Sequence, residues 1–140
     1  MLGANNMIKT IIIFMLALCC TFAKSSEGDK IMKFRIIYVP SDTITIKTKA
    51  NSGKLEISET KCIIEGDSNF EINLNNIQEI EPYSMPGTGS MIKMKYDNKP
   101  LFLSVVRLNI GGFFVIVNRN GTIKLYNLLK KYTKEKVKSP

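Results

Sequence analysis

Phe70-Glu71-Ile72-Asn73-Leu74-Asn75-Asn76-Ile77-Gln78-Glu79-Ile80 is the stretch whose pattern sets the fold class. Phe70, Ile72 and Leu74 alternate with polar residues, the period of a strand that buries one face. Asn75-Asn76 breaks the run, and a second strand is expected from Ile77 to Pro82.

Working outward, period two persists. Toward the N-terminus, Phe34–Val39 is a β-branched and aromatic run closed by Pro40-Ser41-Asp42. Thr43-Ile44-Thr45-Ile46-Lys47-Thr48-Lys49 alternates strictly and predicts a strand with Ile44 and Ile46 inward. Asn51-Ser52-Gly53 reads as a turn, followed by short strands over Lys54–Ser58 and Lys61–Glu65 and a stop at Gly66-Asp67. Toward the C-terminus, Pro86-Gly87-Thr88-Gly89-Ser90 reads as a loop. Strands are expected over Met91–Tyr96, Leu101–Leu108 and Phe113–Asn118, separated by Asp97-Asn98 and Gly111-Gly112. Asn120-Gly121 reads as another turn. The period then changes: Ile123, Tyr126, Leu129 and Tyr132 recur at helical spacing, Leu125 and Leu128 widen the stripe, and Thr122 is placed to cap the helix. An amphipathic helix after a run of strands must lay its apolar face on the sheet, which gives a single α+β domain.

The N-terminus is of another kind. Ile8-Lys9 precedes an unbroken apolar run from Ile11 to Cys20, and Thr21 and Ala23 stand at the −3 and −1 places of a cleavage site. The run is short for a membrane span, which needs roughly 20 apolar residues. Residues 1–23 are therefore expected to be a signal peptide cleaved after Ala23, with an uncleaved anchor or lipidation at Cys19 or Cys20 as alternatives. The protein is accordingly expected to be exported or held at a membrane. Residues 24–32 read as a linker, 33–134 as the folded domain and 135–140 as a basic tail.

Composition narrows the chemistry. The chain has no histidine, which removes the usual general base and the usual metal ligand. Behind the targeting segment Cys62 is the one remaining thiol, so no internal disulfide is available, and its setting in Cys62-Ile63-Ile64 suits a core residue. Glu79 and Glu81 share a strand face, but an exposed charged pair is ordinary. Gly87-Thr88-Gly89-Ser90 lacks the lysine and the following helix of a phosphate loop. Asn120-Gly121-Thr122 fits a glycosylation sequon, a match too common to carry weight. No enzyme, cofactor or metal is expected.

The net charge is +8, and from Pro86 onward eleven Lys/Arg face only Asp97 and Glu135. Such an end suits anionic surfaces, although a solvated tail explains it as well. Lys124, Lys130, Lys131, Lys134, Lys136 and Lys138 form the best cationic cluster for an anionic membrane surface. Nucleic acid is not expected, because no recognition motif accompanies the charge.

The Phe70–Ile80 stretch resembles the "apolar-x-Ile-x-Leu-x-x-Ile-x-x-Ile" segment of pleckstrin-homology-like domains, including their bacterial relatives. Gly89-Ser90-Met91-Ile92-Lys93-Met94 with Leu101-Phe102-Leu103-Ser104 resembles the strand pair that follows, and Leu125–Lys131 resembles the family's closing helix. The resemblance implies a bent antiparallel sheet or partly open barrel of about seven strands, capped by one C-terminal amphipathic helix. It also implies binding to proteins, self-association or, in some members, phosphoinositide binding by basic residues at the first strand–strand loop. Here that loop, Pro40-Ser41-Asp42, has no cation; Lys33, Arg35, Lys47 and Lys49 are the nearest. The closing helix lacks the tryptophan common in eukaryotic members, leaving Tyr126 or Leu129 in its place. The expected function is a non-enzymatic binding or assembly module for a protein partner or a second copy, acting through a sheet edge or the groove beside the helix. The alternative is contact with an anionic surface through the C-terminal lysines.

An intact-mass measurement on the native protein checks the N-terminal reading. Cleavage is expected to leave a chain beginning at Lys24; a mass that includes residues 7–23, or a lipid on Cys19 or Cys20, would indicate the anchored forms instead.

Overall fold

A computed structural model describes residues 28, 30–45, 47–87, 89–110 and 114–134. The targeting segment and the basic tail lie outside the described residues, as does most of the linker. Among the described residues, no helix is long and apolar enough to cross a membrane. The elements are β1 (Met32–Val39), β2 (Asn51–Ile57), β3 (Lys61–Gly66), β4 (Phe70–Asn73), a 3-10 turn (Leu74–Asn76), β5 (Ile77–Met85), β6 (Gly89–Tyr96), β7 (Lys99–Ile110), β8 (Phe114–Val117) and one helix, α1 (Arg119–Lys134). Antiparallel pairing runs β4-β3-β2-β1-β7-β6-β5, with β8 added to β7. The result is the expected α+β architecture, a curled sheet closed by a C-terminal helix.

Burial explains the curl. One face of the sheet contributes Ile36, Tyr38, Leu55, Ile57, Cys62, Ile64, Ile72, Ile92, Met94, Leu101 and Leu103, which form one core with Leu125, Leu129 and Tyr132 of α1. The other face buries a smaller cluster of Val39, Met91 and Phe102, covered by Ile44, Ala50 and Tyr83. β7 lies between the two clusters and is buried throughout Leu101–Val106. Cys62 is a core residue as expected, and burial pushes its thiol pKa up to about 12.

Tyr38 sets the tightest crossing. Its ring packs on the cross-strand pair Gly53↔Gly66, and its hydroxyl reaches the Ser68 carbonyl at 3.3 Å. A Cβ on Gly66 would stand 2.4 Å from the Ser52 carbonyl oxygen, and one on Gly53 would stand 2.6 Å from that of Glu65. This corrects the turn expected at Asn51-Ser52-Gly53: these residues are strand β2, and Gly53 is needed for close approach of the backbones. Phe70 packs edge-on to Tyr38 at 5.7 Å and stacks on Tyr96 at 6.3 Å, so aromatic rings join β4 to β6 across the bend.

Thr43–Lys49 is a second correction. Among its described residues no strand forms, although the alternation is strict. Over Ile36–Val39 both sides of β1 are already paired, to β2 and β7, so the segment cannot fold back on β1 as a neighbouring strand. It loops over the outer cluster instead, with Ile44 packed down and a turn closed by Thr48 N–H donating to the Thr45 carbonyl at 2.9 Å. Ile46 lies outside the described residues. The loop between β1 and β2 therefore spans residues 40–50 and carries Lys47 and Lys49 as well as Pro40-Ser41-Asp42, and both lysines are exposed.

The helix start is a third. α1 begins at Arg119, before Thr122, and Asn118 caps it by accepting from the Gly121 N–H at 3.0 Å. β7 explains the change. β6 leaves β7 after Leu103, and β8 takes its place from Val106. In the gap, the Val105 N–H donates to Thr122 Oγ1 at 3.0 Å and the Val105 carbonyl accepts from Asn118 N–H at 2.7 Å. Thr122 is buried, and a Cβ on Gly121 would stand 2.8 Å from Val105 Cγ1. Asn120-Gly121 is thus the first helical turn pressed on β7, not a turn between elements.

Two stability measurements follow. Thr122→Val keeps the shape but orphans the buried Val105 N–H, and thermal unfolding should show a loss of about 1–3 kcal/mol. In alkali, the raised Cys62 pKa means the unfolded thiol ionises first. Unfolding free energy should therefore be flat in this respect below pH 9 and fall between about pH 9 and 12, more steeply than in Cys62→Ala.

Candidate functional site

β5 pairs only with β6, so its outer edge ends the sheet on that side. α1 crosses beside this edge, and between them lies a groove of about 420 Å3. From the sheet it is lined by Pro82, Ser84, Ser90 and Ile92, and from the helix by Arg119, Ile123 and Tyr126. Tyr83 and Met91 also border it; they form a cross-strand pair next to Pro82↔Ile92.

The register of α1 produces the groove. Thr122, Leu125, Leu129 and Tyr132 are the buried residues of the helix, which is the seam laid on the sheet. Ile123, expected in that seam, is 46% exposed, and Tyr126 is half-buried at the groove. Once Thr122 is fixed against Val105, a residue one position on is rotated by about 100° and cannot also face the core. Arg119, Ile123, Tyr126 and Lys130 then form a second stripe at i, i+4, i+7 and i+11, along the groove side.

The six lysines expected to act together do not share one face. Lys130 belongs to the groove stripe, with its ammonium 5.6 Å from the Tyr126 ring centroid. Lys124 and Lys131, seven residues apart, are exposed on a different stripe, and Lys131 lies over Tyr132 at 5.9 Å. Lys134 ends the helix, its side chain outside the described residues, as are Lys136 and Lys138.

Two other hollows are less suited to a ligand. One, of about 480 Å3, lies on the exposed β1–β2–β3 face between Lys33, Arg35, Lys54, Glu56 and Glu65. Its charges are largely answered locally, by the Lys33–Glu56 ion pair and by Glu65 directly across from Lys54. The other, of about 200 Å3, sits under the residue 40–50 loop against Val115 and Val117. For chemistry, Glu79 and Glu81 are exposed and Glu81 pairs with Lys93 at 3.1 Å. Among the described residues no group of three acidic or cysteine side chains is placed to hold a metal.

Sequence reasoning pointed to an edge or to the groove beside the helix but named no groove residue. Arg119 was missed because the helix was started too late, and Pro82 and Ser84 because nothing marked β5 as an edge. The signal present was the second stripe, Arg119-Ile123-Tyr126-Lys130, which becomes visible once Asn118 is taken as the cap.

No protein-family model and no curated protein matches the chain. Solved structures do. The C-terminal domain of an unknown protein from Leishmania infantum aligns with a TM-score of 0.52 at 16% identity, covering 76% of this chain and 85% of that one. The N-terminal PH domain of human ARAP2 protein aligns with a TM-score of 0.55 at 8% identity, covering 84% and 90%. The fold is therefore pleckstrin-homology-like, as the resemblance implied.

The two stripes differ measurably. Leu129→Ala should cost about 2–5 kcal/mol in chemical denaturation, whereas Ile123→Asp should change stability by no more than about 0.5 kcal/mol. Equal losses would place Ile123 in the core and remove the groove.

Proposed function

We propose that this protein is a non-enzymatic binding module of pleckstrin-homology-like fold that takes an extended segment of a protein partner into the groove between β5 and α1. It does so at or beyond a membrane, to which residues 7–23 direct it. The observation that carries this reading is the coincidence of an unpaired strand edge with an apolar hollow of about 420 Å3 and the exposed Ile123 beside it. A segment added to a sheet edge gains main-chain hydrogen bonds, and adjacent pockets read its side chains. The hollow falls within the usual size for ligand sites. Contact with an anionic surface through the C-terminal lysines is supported less well, because Lys130 lies on the stripe of Tyr126 whereas Lys124 and Lys131 lie on another.

The test is selection from a displayed library of randomised nine-residue peptides on the chain beginning at Lys24. That chain keeps the whole core, which runs from Ile36 to Tyr132. Peptides with an apolar centre should be enriched on the native sequence and lost on Ile123→Asp. Enriched peptides that bind Ile123→Asp and Tyr126→Ala undiminished would sink the groove. Light scattering should give a monomer; a dimer broken by Ile123→Asp would replace the partner segment with a second copy.

A further inference from the structure

We propose that the groove selects an acidic–apolar–acidic segment, in which two carboxylates four residues apart flank an apolar side chain on the same face of an extended peptide. The inference rests on the groove reading and adds the chemistry of its occupant.

The helix side of the groove supplies the charge. α1 holds Arg119, Lys124, Lys130, Lys131 and Lys134 and not one acidic residue. On the groove stripe Arg119 is exposed and Lys130 lies over the Tyr126 ring, and neither makes an ion pair among the described residues. Glu79 and Glu81 of β5 do not line the groove, and Glu81 is held by Lys93 at 3.1 Å; Glu135, the carboxylate nearest to Lys130 in sequence, lies outside the described residues. The stripe is thus cationic at both ends and apolar at Ile123 and Tyr126, and among the described residues no carboxylate pairs with Arg119 or Lys130.

Spacing fixes the motif. Along a helix rising about 1.5 Å per residue, Ile123 lies about 6 Å from Arg119, and Lys130 lies about 16 Å from it. Along a strand rising about 3.3 Å per residue, positions i, i+2 and i+4 share a face and fall at 0, about 7 and about 13 Å. For a peptide laid along α1, a carboxylate at i reaches Arg119, an apolar side chain at i+2 meets Ile123, and a carboxylate at i+4 comes within reach of the long Lys130 side chain. Arg119 adds a fork suited to two-point contact with a carboxylate.

A second copy of the chain does not fit. Pairing β5 with β5 would bring Glu79 and Glu81 of the two copies near one another. Pro82 is accommodated in an edge strand with its missing N–H on the open side, so each edge would also lack a donor there. A free peptide brings neither a second Pro82 nor a second Glu79–Glu81 pair, and it forgoes one main-chain hydrogen bond, opposite Pro82.

Fluorescence anisotropy with labelled nine-residue synthetic peptides tests this on the chain from Lys24. One peptide carries Glu-Thr-Leu-Thr-Glu at its centre and the other Gln-Thr-Leu-Thr-Gln. The Glu peptide should bind about tenfold tighter at 50 mM salt, and the gap should narrow at 300 mM. Arg119→Gln and Lys130→Gln should each weaken the Glu peptide about fivefold and so narrow its advantage over the Gln peptide. Lys124→Gln, on the other stripe, should change neither. Equal affinity of the two peptides, with both lost in Ile123→Asp, overturns the acidic flanks and leaves the groove standing. A Glu preference reduced as much by Lys124→Gln as by Arg119→Gln reveals general attraction to a basic protein and also overturns it. Binding of either peptide undiminished in Ile123→Asp overturns the groove itself.

Discussion

The Val105 peptide group is the constraint on which the helix and the groove both depend. β7 is the central strand, paired on one side to β1 and on the other first to β6 and then to β8. Where one neighbour hands over to the next, the Val105 N–H and carbonyl would be left unpaired in a region without water. A buried unpaired backbone group costs on the order of 1–3 kcal/mol. Thr122 Oγ1 and the Asn118 N–H fill both places, and the Thr122 hydroxyl donates in turn to the Asn118 carbonyl at 3.0 Å. The first helical turn is thereby tied to the middle of the sheet.

That tie fixes the rotation of α1. With Thr122 inward, Leu125, Leu129 and Tyr132 follow into the core at helical spacing, and Ile123 and Tyr126 are turned toward the β5 edge. The apolar groove is a consequence of this register. Its floor is the core's own Ile92, with Tyr126 packed against that core, and the partly exposed Ile123 beside an open strand edge is the kind of surface that binding covers. The cations on the same stripe have the same origin, because Arg119 precedes Ile123 by one helical turn and Lys130 follows Tyr126 by one.

Several strands were legible because their cause is local. In Phe70–Asn73 alternate residues are covered, Met91–Tyr96 is half-buried or buried throughout, and all of Leu101–Val106 is buried, and apolar residues at those places report it directly. The misses have nonlocal causes. Thr43–Lys49 alternates as a strand should, yet Ile36–Val39 of β1 is already paired on both sides. Gly53 looked like a turn residue, but its glycine answers the Glu65 backbone and the Tyr38 ring, which are remote or indeterminate from sequence. Asn120-Gly121 looked like a turn for the same reason: Gly121 is required by Val105, sixteen positions earlier.

By itself the sequence determined the α+β class, the closing amphipathic helix, the core role of Cys62 and the absence of histidine chemistry. All of these follow from composition or from periodicities within a single element. Only the tertiary structure decided which edge lies open, which face of α1 is spare and which lysines lie together. Those depend on where β6 ends and β8 begins along β7, and on the backbone groups that the exchange leaves for Asn118 and Thr122 to satisfy. Hydrogen bonds between distant parts of the chain leave no period in it, so the Phe70–Ile80 pattern could announce the sheet but not its edge.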